Sequence, residues 1–306
     1  MQEAAIDVFA HVLPPNFYQQ MLSLEPSLPK KYPFITHPLL SDMDLRQKHF
    51  DGQTKQVISN VNVNPEDYTD PKQASLLCQQ GNNEIVELVK KYPDMFYGAV
   101  AMLPLNAPEK WEDFFDDVKQ TKELLGIQLF TRALGKSIAD SAFEKVFELA
   151  AKKDVILWLH PVFDERKPDN NIVFSWEYEL TQAMFQLVTS GIFEKWPHLK
   201  IIVHHAGGMV PYFAGRIEHI LPKEQVQAFK KFYVDTAILG NEKALELAVD
   251  YYGSDHVLFG TDAPLGIAPA GATEVIRKAL ENTCLTKEQQ VQILNKNFEV
   301  MVGDLK

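Results

Sequence analysis

Short apolar or β-branched runs recur eight times along the chain, and most of the intervals between them carry a helical period. The runs are IDVF (6–9), QVISNVNV (56–63), FYGAVAML (96–103), GIQLF (126–130), VILWLH (155–160), KIIVHH (200–205), FYVDTA (232–237) and HVLFGTD (256–262). Between them, NNEIVELVKKY (82–92), AFEKVFELAAKK (142–153) and EKALELAVDYY (242–252) place apolar residues three and four apart. Strand, helix, strand alternation requires parallel pairing through crossovers, and eight such units in 306 residues match an α/β fold of the (β/α)8 TIM-barrel type. An open doubly wound sheet would want a glycine-rich phosphate turn after its first strand, where this chain has HVLPP. The expectation is one barrel domain over residues 1–306, since no repeat, low-complexity stretch or linker divides it.

Two intervals depart from a minimal barrel. About 40 residues separate the first two runs. Pro26, Pro29, Pro33 and Pro38 punctuate them, so residues 15–50 are expected to form a lid-like excursion with one short helix that covers the barrel mouth. The second is VFDERKPDNNIVFSWEYE (162–179), a polar loop expected to line the site.

Charge and cysteine usage exclude several roles. Thirty basic against 41 acidic residues give a net charge of −11 without any Lys/Arg block, which argues against a nucleic-acid partner. No 18-residue apolar run and no signal-peptide pattern are present, so no membrane association is expected and the location is read as cytoplasmic. Cys78 and Cys284 are the only cysteines, far apart in segments that read as helical, which supports neither a disulfide framework nor a thiolate metal cluster.

In barrels of this kind the chemistry collects at the C-terminal ends of the strands. Those ends carry His11, His160, His204, His205, Asp235 and Asp262. Singly, each reads as a structural histidine or a capping aspartate; together, two histidines and one aspartate suffice for one divalent ion, Zn²⁺ or Mn²⁺, with open positions for water and substrate. His37, His49, His198, His219 and His256 fall in loops, on helix faces or before a strand, and are expected to stay out of the site.

The segments NNEIVELVKKYPDMFYGAVAMLPLN, GIQLFT, WLHP, WPHLKIIVHHAGGMVPYFAGR, GSDHVLFGTDAP and ILNKNFEVMVG resemble the ordered motifs of the amidohydrolase superfamily. The branch is that of aminocarboxymuconate semialdehyde decarboxylase and the hydroxybenzoate decarboxylases such as γ-resorcylate decarboxylase. The resemblance implies that His11, His160 and Asp262 ligate one metal ion. It implies that His205 polarises a metal-bound water or touches the substrate, while His204, one residue earlier, would point to the opposite face of its strand. Members carry His or Glu two residues before the first-strand histidine, where this chain has Phe9. Asp7 would share the face of residues 9 and 11, but roughly 13 Å from His11.

The reaction implied is nonoxidative decarboxylation of a small aromatic or unsaturated carboxylic acid. Arg216 matches an arginine that reaches the neighbouring subunit's site, which implies a homodimer. Arg132, Arg166 and Arg46 are further candidates near the mouth, and Phe174, Trp176, Trp158 and Phe9 would supply an apolar wall for a planar acid. Asp262 would double as a catalytic group, relaying a proton. The alternatives are a hydrolase or hydratase on the same ligands, and a metal-free binding protein, which Phe9 would permit.

Overall fold

The computed structural model describes residues 4–303. Its centre is a parallel sheet of seven strands in chain order: β1 (Ala5–Val12), β2 (Thr54–Asn60), β3 (Phe96–Ala101), β4 (Leu124–Phe130), β5 (Ile156–His160), β6 (Ile201–Val203) and β7 (Tyr233–Val234). Crossover helices follow from the periodic stretches, among them Pro71–Lys91, Glu144–Lys153 and Glu242–Tyr252. Each presents an apolar stripe to the sheet, and the contact forms the larger of two buried cores.

The eighth run forms no ladder of its own, yet it bonds to both edges of the sheet. On one side Val8 N donates to Phe259 O (2.8 Å), Asp262 N to Phe9 O (2.9 Å) and His11 N to Ala263 O (2.7 Å); on the other, Val234 N donates to His256 O and Leu258 N to Val234 O. Gly260 and the aspartate at 262, whose φ is 61°, break the regular pleat, so 256–263 joins β7 to β1 irregularly.

The curl of the sheet encloses a second core. Ile6, Val8, Val57, Val100, Leu125, Ile156, Trp158 and Ile202 meet there, one or two from each of β1 to β6, with Leu258 of the eighth run and Tyr233 of β7 packed against them, and Phe298, Met301 and Val302 plug it from the C-terminal helix. Residues from all strands can touch only if the sheet wraps round on itself. One register shift matters for the site: Asp7 pairs with Gln56 but Ala10 with Ile58, so β1 carries one extra residue between them. Val8 and Phe9 therefore both face the enclosed core, and Trp158 Nε1 donates to the Val8 carbonyl at 2.8 Å. This bulge corrects the expectation that residues 7, 9 and 11 share a face. Asp7 turns away, where its carboxylate accepts from Phe9 N, Thr261 N and Thr261 Oγ1.

The segment between β1 and β2 holds more helix than expected: Pro15–Leu24, Leu28–Lys31 and Met43–Lys48, with 3-10 turns at Pro33–Thr36 and Pro38–Leu40. Pro29, Pro33 and Pro38, which read as breaks, instead occupy first-turn positions of these elements, where the missing N–H would have no helical partner anyway, and Pro26 lies in the turn before Leu28–Lys31. Cys78 lies within its helix, whereas Cys284 falls in the bend after the helix Thr273–Asn282; both thiols are free. Among the described residues no helix is long and apolar enough to cross a membrane.

Candidate functional site

The strand ends of one side of the sheet converge on three buried histidines and a half-buried aspartate. One ligand-type atom each from His11, His160, His204 and Asp262 lies within 4.8 Å of the others. His11 Nε2 stands 3.1 Å and His204 Nε2 3.5 Å from Asp262 Oδ1. The outer nitrogens are held from behind. His160 Nδ1 donates to the Pro161 carbonyl at 2.7 Å, His204 Nδ1 donates to Asp235 Oδ2, and His11 Nδ1 lies 3.0 Å from Ser59 Oγ. A carbonyl can only accept, so the His160 proton sits on Nδ1 and its Nε2 lone pair is free.

His204 corrects the sequence reading. Ile202 faces the enclosed core, and two residues further along an extended chain His204 faces it too. The ring is fully buried against Phe9, centroids 3.9 Å apart at 20°. His205 reaches the same mouth by another route. The strand has ended, the backbone turns into φ 51° at His205, and the ring swings toward the helix Ser175–Thr189, where Nδ1 donates to Glu177 Oε1 at 2.8 Å.

Burial and charge set the protonation of the cluster. Burial pulls His11 below the ordinary histidine value, against the raising effect of Asp262. Burial, together with the neighbouring His11 and His204, pulls His160 well below it. For His204 burial acts downward as well, but the Asp235 and Asp262 carboxylates outweigh it and push the ring up to about 10. Asp262 is raised by burial, yet the adjacent His11 and His204 rings hold it well below the usual carboxylate range. The donor set fits a divalent ion: the Nε2 atoms of His11 and His204 are buried without a hydrogen-bond partner, and a cation bound at Nε2 is what would satisfy them.

Above the cluster lies a cavity of about 720 Å³ whose wall includes Asp262, His205, Glu177, Trp176, Phe34 and His37. His37 therefore lines the cavity, contrary to the expectation from its loop position; its Nδ1 accepts from Leu39 N and fixes the turn that brings it there. Trp176 packs 5.9 Å from His160 and 6.2 Å from His205, and its Nε1 is buried without a partner.

The expected arginines are not brought to this wall. Arg166 pairs with Asp164 at 2.6 Å, Arg132 lies 3.9 Å from the same carboxylate, and neither lines the cavity. Arg46 is buried in a structural role, donating to the carbonyls of His11 and Leu39 and to the Gln56 side chain. Arg216 is exposed on the helix Ala214–Ile220. Phe174 is also exposed, at 67 %, although the preceding Ile172 and Val173 line the cavity. Glu177 escaped the sequence reading because one carboxylate in an acidic helix start carries no signal of its own; only its place in the fifth-strand loop hinted at it.

A family model described as amidohydrolase matches residues 6–297. The chain is 28% identical to a 6-methylsalicylic acid decarboxylase of Penicillium expansum over 95% of this chain and 93% of that one. It is 27% identical to a 2-amino-3-carboxymuconate-6-semialdehyde decarboxylase of Dictyostelium discoideum, covering 81% and 73% of the two. Its fold resembles that of a dihydroxybenzoic acid decarboxylase from Polaromonas sp., solved with manganese and the inhibitor 2-nitroresorcinol, with a TM-score of 0.80 and 20% identity over 100% and 98% of the chains. With nearly its whole length matched, this chain belongs to the amidohydrolase family.

Proposed function

We propose that the protein is a metal-dependent nonoxidative decarboxylase of a small aromatic or unsaturated carboxylic acid. The observation that carries this reading is the donor cluster of His11, His160 and Asp262, whose aspartate lines a largely apolar cavity, in a chain whose relatives decarboxylate 6-methylsalicylic acid and a carboxymuconate semialdehyde. One ion, zinc or manganese, supplies Lewis-acid binding for a substrate oxygen when held there. The rest falls to the chain. Trp176 and the apolar wall take the planar ring, His205 backed by Glu177 delivers a proton to the carbon that bears the carboxylate, and Asp262 takes up and returns the proton of a substrate hydroxyl. The bond to the carboxylate then breaks with its electron pair left on the ring, CO₂ leaves, and His205 is reprotonated from solvent.

No arginine lines the cavity among the described residues, so the departing carboxylate needs a cation from elsewhere. Arg216 of a second subunit is our candidate, in a homodimer that shares its sites. Its helix is flanked by Tyr212, Phe213 and Ile220, all exposed, and no ion pair engages Arg216 among the described residues. Mixing Arg216→Ala with His205→Ala chains should then restore about a quarter of wild-type activity through heterodimers. No recovery after verified exchange would place Arg216 outside the site. Residues 15–50 act as a lid in this reading, supported by Pro33, Phe34, Thr36 and His37 in the cavity wall. The two free cysteines suit a reducing, cytoplasmic setting.

The test is CO₂ release from hydroxybenzoates and muconate-type acids by protein reloaded with Mn²⁺ or Zn²⁺ after chelation. Release that vanishes with chelator and with His160→Ala is expected. Hydrolysis of lactones or amides without CO₂ release would replace the decarboxylase by a hydrolase.

A further inference from the structure

Phe9 faces the cluster beside His11 but has no atom that binds a metal, which leaves β1 with a single donor. We infer that His204 supplies the missing imidazole as a fourth ligand, and that Asp235 is the positioning residue that aims it. The inference rests on the reading that the cluster holds a divalent ion.

Three observations converge on it. First, His204 Nε2 is fully buried, has no hydrogen-bond partner and looks at Asp262 Oδ1 from 3.5 Å. Second, the orientation is built. Asp235 is completely buried, its Oδ2 takes the His204 Nδ1 proton, and its Oδ1 accepts from Ala206 N at 3.2 Å and Ala237 N at 2.9 Å. With both oxygens engaged the carboxylate cannot rotate away, and a His whose Nδ1–H is donated to a carboxylate presents Nε2 as the donor atom. The same division, outer nitrogen held and inner nitrogen free, is seen at His160. Third, Phe9 contributes by shape: its ring lies flat on the His204 imidazole at 3.9 Å, fixing the plane of the ring about the one torsion that Asp235 leaves soft. Gly260 makes room for this pair, because a Cβ there would stand 2.7 Å from the Asp235 Cβ.

Co²⁺ is the probe. In the wild-type protein loaded with Co²⁺, each ligating histidine with a buried Nδ1–H gives one exchangeable, hyperfine-shifted proton signal that disappears in D₂O. Three such signals are expected, from His11, His160 and His204. Two signals would overturn the inference, leaving His204 as an imidazolium held between Asp235 and Asp262. In variants, His204→Ala should weaken Co²⁺ binding by about a hundredfold or more, and Asp235→Asn by about 10- to 100-fold with its own signal displaced. Adding Phe9→His to His204→Ala should restore affinity, since it returns an imidazole to the same face of β1. Unchanged or tighter binding by a folded His204→Ala chain overturns the inference, and the wild-type signal count decides it even if that variant does not fold. Three signals without CO₂ release from any acid would sink the decarboxylase reading and leave the ligand set standing; no Co²⁺ uptake at all would sink both.

Discussion

Replacing Glu177 by Gln tests whether the His205 pair delivers the proton. Glu177 Oε1 accepts from His205 Nδ1 at 2.8 Å, with the two side chains 25 % and 9 % exposed. When His205 acts as the acid its ring carries a positive charge, and the bond to Glu177 is charge-assisted. A glutamine keeps an acceptor of the same shape and removes the charge. Hydrogen bonds to charged groups contribute roughly 1.5–3 kcal/mol and neutral ones about 0.5–1.5, so the imidazolium loses on the order of 1 to 1.5 kcal/mol of support. Partial exposure of Glu177 places the effect at the lower end.

That loss corresponds to a roughly five- to tenfold lower kcat near neutral pH. KM should stay within a factor of about two, because glutamine keeps the shape of Glu177 in the cavity wall and the donor cluster is untouched. The measurement is steady-state CO₂ release with the best acid from the screen, metal content being matched between wild type and variant. A Glu177→Gln enzyme with wild-type kcat, or one changed in KM alone, would refute the assignment of His205 as proton donor. His205→Ala supplies the scale, with a loss of about 100-fold or more expected for removal of the acid itself.

Two further predictions concern the scaffold. Burial pushes the Glu66 carboxyl up to about 8, with the nearby Asp67 adding to it. Its folded value lies above its unfolded one, so its contribution to stability is complete below about pH 4.5 and is lost as pH rises toward 8. Glu66→Gln should therefore unfold at higher urea than wild type at pH 8 relative to its position at pH 5, by up to a few kcal/mol; an identical difference at both pH values would refute it. Gly126 sits in the middle of β4, where a Cβ would stand 2.2 Å from the Ile156 carbonyl and 2.4 Å from the Trp158 ring. Gly126→Ala should cost about 3 kcal/mol or more by urea unfolding, since a central strand cannot shift aside; a loss below about 1 kcal/mol would mean that β4 and β5 part easily.

What the sequence made legible depends on whether a feature is marked by residue type or by backbone path. The strand and helix rhythm is a matter of type, and the seven paired strands fall inside or beside the apolar runs. The polar strand ends are equally legible, because a His or Asp closing an apolar run stands out: His11, His160 and Asp262 meet at one point. The direction in which each side chain faces is a different matter. At β6 the phase could have been read inward from the apolar run, since counting by two from Ile202 reaches His204 and not His205. On β1 the same counting fails. The extra residue between Asp7 and Ala10 leaves no mark in IDVFAHV, so strict alternation puts Asp7 on the face of His11 when the bulge puts Val8 there instead. His205 escapes alternation by its left-handed φ, and Glu177 enters from a helix start that any surface helix could carry. The site thus combines recognisable residue types with two backbone irregularities, the bulge in β1 and the left-handed turn at His205. Phe9 faces inward beside His11 by either count, and its ring is the surface on which His204 rests.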